Sequence, residues 1–136
     1  MKFKFLEHTA DIKFQAYGKT IEEAFKNSAL AMAKAMYEGK INSKKIVKIK
    51  VKGKDFESLL YNFLEELIIL MDSKGFFVDD ITKIKINKDE FQLEAEVSGD
   101  HAKNYKVSLD VKAITYNEMF VKKIKDIWTT QVVLDV

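Results

Sequence analysis

The sequence contains no cysteine, no proline and no arginine, and only five glycines and two histidines. Without cysteine, disulfides and thiolate-bound zinc are excluded, and a cytoplasmic location is the expectation. Without proline, every turn must be made by Gly, Asn, Asp or Lys. All 23 basic residues are lysines, so there is no planar fork for bidentate recognition of phosphate or guanine. No apolar run approaches the roughly 20 residues that a membrane-spanning helix requires. Met1-Lys2-Phe3 runs straight into a strand pattern, so no secretory leader is expected. His8 and His101 alone leave little for a histidine-rich metal site. The phosphate loops G-x-x-x-x-G-K-[ST] and G-x-G-x-x-G are missing, as is the G-x-S-x-G nucleophile elbow.

What is present suits one globular domain spanning residues 1–136. Hydrophobic residues make up 47% of the chain and charged residues 32%, and the formal net charge is only +2. Two short alternating runs, Phe3 and Phe5 against Lys2 and Lys4, then Ile12, Phe14 and Ala16 against Lys13, Gln15 and Tyr17, predict a hairpin. Its turn, Glu7-His8-Thr9-Ala10-Asp11, gathers a histidine, a hydroxyl and a carboxylate on a loop held by a rigid frame.

Two helices are predicted. Thr20 and Glu23 form an S/T-x-x-E capping box, followed by apolar residues at helical spacing from Ile21 to Met36, with Gly39 closing the run. Asp55 caps the second helix, in which Phe56, Leu59, Leu60, Phe63, Leu64, Leu67, Ile68 and Met71 mark a wide apolar face. The junctions Gly18-Lys19-Thr20 and Gly53-Lys54-Asp55 repeat one another. Between the helices, Lys48, Lys50 and Lys52 alternate with Val47, Ile49 and Val51, the pattern of an edge strand protected by lysine.

Beyond Gly75 the chain reads as β-structure. Ile84 and Ile86 lead through a turn at Asn87–Glu90 to Phe91, Leu93, Ala95 and Val97. Pairing Ile86 with Phe91 keeps the apolar faces together and sets Lys83 opposite Glu94. Gly99-Asp100-His101 reads as a turn and Tyr105–Val111 as a strand. Met119–Ile127 and Thr129–Val136 supply the last two strands, with Trp128 near their turn. The fold class is α+β, two main helices packed on a largely antiparallel β-sheet.

An oxygen-donor set remains as the candidate chemistry. Asp11, Asp135 and the α-carboxylate of Val136 meet if the first and last strands adjoin, and hard divalent cations favour such ligands.

Phe5-Leu6-Glu7-His8-Thr9-Ala10-Asp11-Ile12, Val111-Lys112-Ala113-Ile114-Thr115-Tyr116 and Val133-Leu134-Asp135-Val136 together resemble the archease family over essentially the whole chain. The resemblance implies an α+β protein that is not itself an enzyme. It implies a protein cofactor of the tRNA-splicing RNA ligase that joins 3′-phosphate or 2′,3′-cyclic phosphate ends to 5′-hydroxyl ends. That role promotes guanylylation and turnover of the ligase catalytic subunit, with RNA met indirectly through the ligase and no membrane involved. It further implies a divalent-cation site at Asp11, Asp135 and Val136, with calcium first and magnesium or manganese as alternatives. His8, Thr9, Lys112 and Thr115 would belong to the functional surface. Asn117 stands where a histidine usually follows the K-A-x-T-Y tyrosine. Two rival readings are a metal-dependent phosphoesterase using Asp11 and Asp135, and a chaperone or RNA-binding accessory using the lysine faces.

Overall fold

The structure is a computed structural model describing residues 1–136. Its elements are β1 (Phe3–Leu6), β2 (Ile12–Gly18), α1 (Ile21–Met36), β3 (Lys45–Lys52) and α2 (Phe56–Lys74). Then follow β4 (Phe76–Asn87), β5 (Gln92–His101), a 3-10 turn at Ala102–Asn104, β6 (Ala113–Ile124) and β7 (Ile127–Asp135). The strands divide into two antiparallel sheets, ordered β1-β2-β7-β6 and β3-β5-β4. Each helix touches strands of both sheets, and one cluster of 30 buried residues runs through the whole. Neither helix is long and apolar enough to cross a membrane.

Both N-caps act as the sequence indicates. Gly39, however, does not close the first helix, which ends at Met36 with extended Tyr37 as its C-cap. The Glu23 carboxylate accepts the Lys19 N–H rather than that of Thr20. Thr20 Oγ1 accepts the Glu23 N–H at 3.1 Å, and the Asp55 carboxylate accepts the Ser58 N–H at 2.7 Å. At Asp55 the box is closed by serine, whose hydroxyl accepts the Asp55 N–H. Both preceding glycines lie against the first turn of their helix. A Cβ on Gly18 would fall 2.4 Å from the Ala24 nitrogen, and one on Gly53 would fall 2.6 Å from the Leu59 nitrogen. Close approach of strand end to helix therefore explains why the two junctions look alike.

Four further expectations are corrected. The β4–β5 register pairs Ile86 with Leu93, not Phe91, and places Lys83 against Glu96. The Asn87 side chain accepts the N–H groups of Asp89 and Glu90, widening the turn, and Phe91 closes it at φ 53° while packing edge-on against Phe56. A shift of two residues preserves the inward face, so hydrophobic alternation does not distinguish the two registers. Gly99-Asp100-His101 is no turn but the end of β5, paired with Phe76–Val78. Tyr105–Val111 forms no strand. Its apolar residues alternate because the segment crosses the core, with Val111 buried and Tyr105 and Val107 packed against it. The Tyr105 hydroxyl donates to buried Asp100 at 2.7 Å and accepts the Asn42 N–H, and that first bond holds the Asp100 carboxyl below its ordinary range. Finally, β6 begins at Ala113, and the β6–β7 turn is Lys125-Asp126, both at positive φ, with Trp128 inside β7.

Phe63 is fully buried on α2 and stacks on Phe25 of α1 at a centroid distance of 6.2 Å. Phe63→Ala should cost about 3–5 kcal/mol, the lost transfer energy plus an unfilled cavity. Denaturant unfolding should show the midpoint falling with an unchanged slope.

Candidate functional site

The pairing of β2 with β7 builds one end of the four-stranded sheet. Ile12 lies opposite Leu134, so the same register carried one residue further brings Asp11 to Asp135. It is the second strand, not the first, that adjoins β7; β1 is the edge. On the other side, Asp135 pairs with Ala113, and the Lys112 N–H donates to the Asp135 carbonyl at 2.8 Å. Residues distant in sequence thus share one sheet end.

The Glu7–Asp11 loop folds towards a bulge in β6. Regular pairing of β6 with β7 is interrupted between Thr115 and Phe120, and Glu118 sits in the interruption at φ 55°. The Gln131 side-chain amide donates to the Glu118 carbonyl at 2.7 Å, and Gln15 donates to Gln131 in turn at 2.8 Å. Held this way, the Glu118 carboxylate meets His8 Nε2 at 2.8 Å and Lys13 Nζ at 3.3 Å. These two contacts, His8 first, hold the Glu118 carboxyl below the usual glutamate range. His8 Nδ1 is buried and has no hydrogen-bond partner, with Asp11 Oδ2 3.6 Å away. Ala10, between them, is also left-handed at φ 64°. Two of the five non-glycine residues at positive φ therefore flank this contact, a backbone cost of about 1–3 kcal/mol each that tends to mark functional sites.

The expected residues divide into groups. His8 and Asp11 face each other, Thr9 is exposed, and Lys112 is exposed beside Asp135. Thr115 is committed elsewhere: its hydroxyl donates to the Val133 carbonyl at 2.8 Å, a bond within the sheet. Val136 is half-buried and packs against the core. Glu118, Lys13 and Gln131 were not singled out in the sequence. The one signal available was the lack of alternation over Lys112–Asn117, a stretch whose end runs into the bulge between Thr115 and Phe120.

Neither the Asp11 nor the Asp135 carboxylate accepts any hydrogen bond; Asp11 has only the long approach from His8, and Asp135 has no ionic partner. Carboxylates left without donors on one sheet end suit a hard cation, which takes oxygen ligands. No three His, Asp or Glu side chains form a cage by themselves, so main-chain oxygens, such as that of Val136, would have to complete the set.

Comparison with known proteins gives a consistent result. The profile of the Archease protein family (MTH1598/TM1083) matches residues 3–136. The chain is 36% identical to the protein archease of Methanosarcina acetivorans, over 99% of this chain and 96% of the relative. It is 38% identical to that of Pyrococcus abyssi, over 99% of each. The solution structure of Methanobacterium thermoautotrophicum protein 1598 superposes with a TM-score of 0.83 at 29% identity, covering 99% of both chains. The crystal structure of an archease, possible chaperone, from Thermotoga maritima shares the fold, with a TM-score of 0.67 at 22% identity and coverage of 98% and 96%.

The lowered Glu118 carboxyl makes a pH prediction. A depressed folded value contributes stability that is full above the ordinary glutamate value of about 4.3 and is lost as pH falls through the lower folded value. Glu118→Gln should therefore melt below the unmodified protein at neutral pH. The gap should close as both are acidified below that range, as read by melting temperature against pH.

Proposed function

The chain belongs to the archease family, and from that premise we propose that it activates an RNA ligase without catalysing ligation itself. The ligase joins RNA 3′-phosphate or 2′,3′-cyclic phosphate ends to 5′-hydroxyl ends, and the activator promotes its guanylylation and multiple turnover. The observation that supports this reading is the composition of the sheet end. It offers two carboxylates without donors, an exposed lysine whose main chain bonds to that of Asp135, and a histidine already bonded to Glu118. That set can hold a cation and meet a phosphate, but it has no free nucleophile–base pair of the kind that covalent catalysis requires.

Asp11 and Asp135 would hold a divalent cation through carboxylate oxygens, with Val136 contributing a main-chain oxygen. Calcium suits this oxygen set, as do magnesium and manganese. When bound, the ion would neutralise the paired acids and present positive charge at the surface. Lys112 extends that charge on its flexible stem towards a phosphate or carboxylate of the ligase. Thr9 belongs to the same exposed surface, half-buried His8 lies just beneath it, and Thr115 supports it by fixing β6 to β7.

The decisive assay combines a catalytic amount of ligase with RNA ends and GTP, with and without this protein. Turnover beyond one ligation per ligase should depend on its presence; equal turnover without it would overturn the reading. A phosphoesterase would instead hydrolyse phosphoesters with the ligase absent.

Two variants separate the parts. Asp11→Asn should abolish cation binding and activation while changing stability by no more than about 0.5 kcal/mol, the usual range for a surface position. Lys112→Met keeps the apolar stem and removes the charge. It should lower ligase guanylylation and leave calorimetric cation affinity unchanged, and normal guanylylation would return Lys112 to a solvated surface role.

A further inference from the structure

The outer face of the three-stranded sheet carries a second, unassigned surface. The register sets Lys48 and Lys83 on either side of Glu96, and Lys50 and Lys85 on either side of Glu94. Lys52 adds a third step next to Gln92. Ile49, Ala95 and Ile84 occupy the alternating positions, directed at the core. Five lysines against two glutamates leave a surplus of three charges, more than the +2 of the entire chain. The other 18 lysines are outnumbered by 19 carboxylates, so the net positive charge of the chain is the surplus on this face less one.

Two glutamates do not neutralise the face. Lys50 Nζ approaches Glu94 at 3.3 Å and Lys83 Nζ approaches Glu96 at 3.5 Å. Exposed pairs of this kind are worth little and exchange readily with other anions. Lys48, Lys52 and Lys85 have no ionic partner. The surface is also hollowed: a depression of about 790 Å³ crosses all three strands, bordered by Lys48, Lys50, Lys83, Lys85, Glu94 and Glu96, with Lys52 beyond its rim. A concave surface with charge predominantly of one sign focuses its field on an incoming ion.

The geometry fits an extended polyanion, and we propose that this face binds the phosphate backbone of single-stranded RNA. Lysines two residues apart on a strand repeat every ~6.7 Å, and the rows on β3 and β4 stand ~9.5 Å apart, two strand spacings. That is a ladder of point charges suited to a chain of phosphates. With no arginine on the face, no base edge is read bidentately, and with no aromatic, no base is stacked. Binding is therefore independent of sequence and governed by counterion release. The rows end towards Asp79 and Asp80, which engage Ser43 and Lys26, so the strand follows β3 and β4 away from that end.

Choosing RNA among polyanions rests on the proposed role beside an RNA ligase; the charge and the hollow do not. Binding is measured with the ligase absent. Failure here leaves ligase activation standing, and failure of activation leaves this affinity measurable.

Fluorescence anisotropy of labelled single-stranded oligouridine, titrated with the full chain at several salt concentrations, tests the proposal. Log affinity should fall linearly with log salt, and the triple variant Lys48→Gln, Lys52→Gln, Lys85→Gln should reduce that slope by roughly 2, at about 0.7 per phosphate contact. The double variant Glu94→Gln, Glu96→Gln should bind more tightly, an effect of opposite sign that misfolding would not produce. A control triple at exposed Lys19, Lys103 and Lys106 should leave the slope unchanged. No RNA affinity at low salt, an equal loss in the control, or no gain from the double variant would overturn the proposal. Poly-glutamate competing as well as RNA would identify an acidic protein as the partner and overturn it too.

Discussion

Everything at the candidate site depends on the antiparallel pairing of β2 with β7. Seven residue pairs, from Ile12 with Leu134 to Gly18 with Trp128, join the two ends of the sequence. β7 lies inside the sheet, flanked by β2 and β6, and Thr129–Leu134 are buried without interruption. A slip of one residue would turn either Phe14 and Ala16 or Val132 and Leu134 away from the helices. Since all four are fully buried, the hydrophobic core fixes the register. The register then determines that Asp11 and Asp135 share a sheet end. The site is thus positioned by apolar packing, although its own groups are polar.

Superimposed on that frame is a local conflict between backbone and side chains. Ala10 and Glu118 both adopt the left-handed conformation that Cβ atoms disfavour. What compensates at Glu118 is a set of directed bonds: Gln131 to its carbonyl, and His8 and Lys13 to its carboxylate. The His8–Glu118 bond ties a loop to a bulge across 110 residues of sequence. It therefore orients the imidazole, whose other nitrogen faces Asp11. The acidic and basic groups of the loop are held in mutual orientation rather than left to solvent.

Features governed by short-range rules were legible in the sequence. Thr20 and Asp55 announce their helices through capping chemistry, and the 3.6-residue rhythm of Phe56–Met71 marks the face that α2 buries. The hairpin around Glu7–Asp11 followed from alternation. Where alternation has another cause, it misleads: Tyr105–Val111 alternates because a loop crosses the core, not because it joins a ladder. Where two registers bury the same face, it is silent, so the shift from Phe91 to Leu93 opposite Ile86 depended on the Asn87 turn. Glu118 was illegible for a further reason. Its role arises from a bulge whose partner, His8, lies far away in the chain, and no local pattern encodes that meeting. The α+β class survives all of this, divided between two sheets rather than gathered in one.

The position of β7 has a consequence for how the molecule comes into being. A ribosome joins the residues in chain order, so those of β1, β2, both helices and the three-stranded sheet are all linked before Ile127 is added. During that interval β2 has an open edge and the core lacks Val132 and Leu134. Closure is a long-range event, of the kind that slows folding because distant segments must meet before either is rewarded. The newborn protein therefore passes through a stage with exposed strand edges, which favours mispairing between neighbouring chains. A chain interrupted before β7 gains neither the sheet centre nor the encounter of Asp11 with Asp135. The surface offered to a partner thus doubles as a certificate that synthesis reached β7.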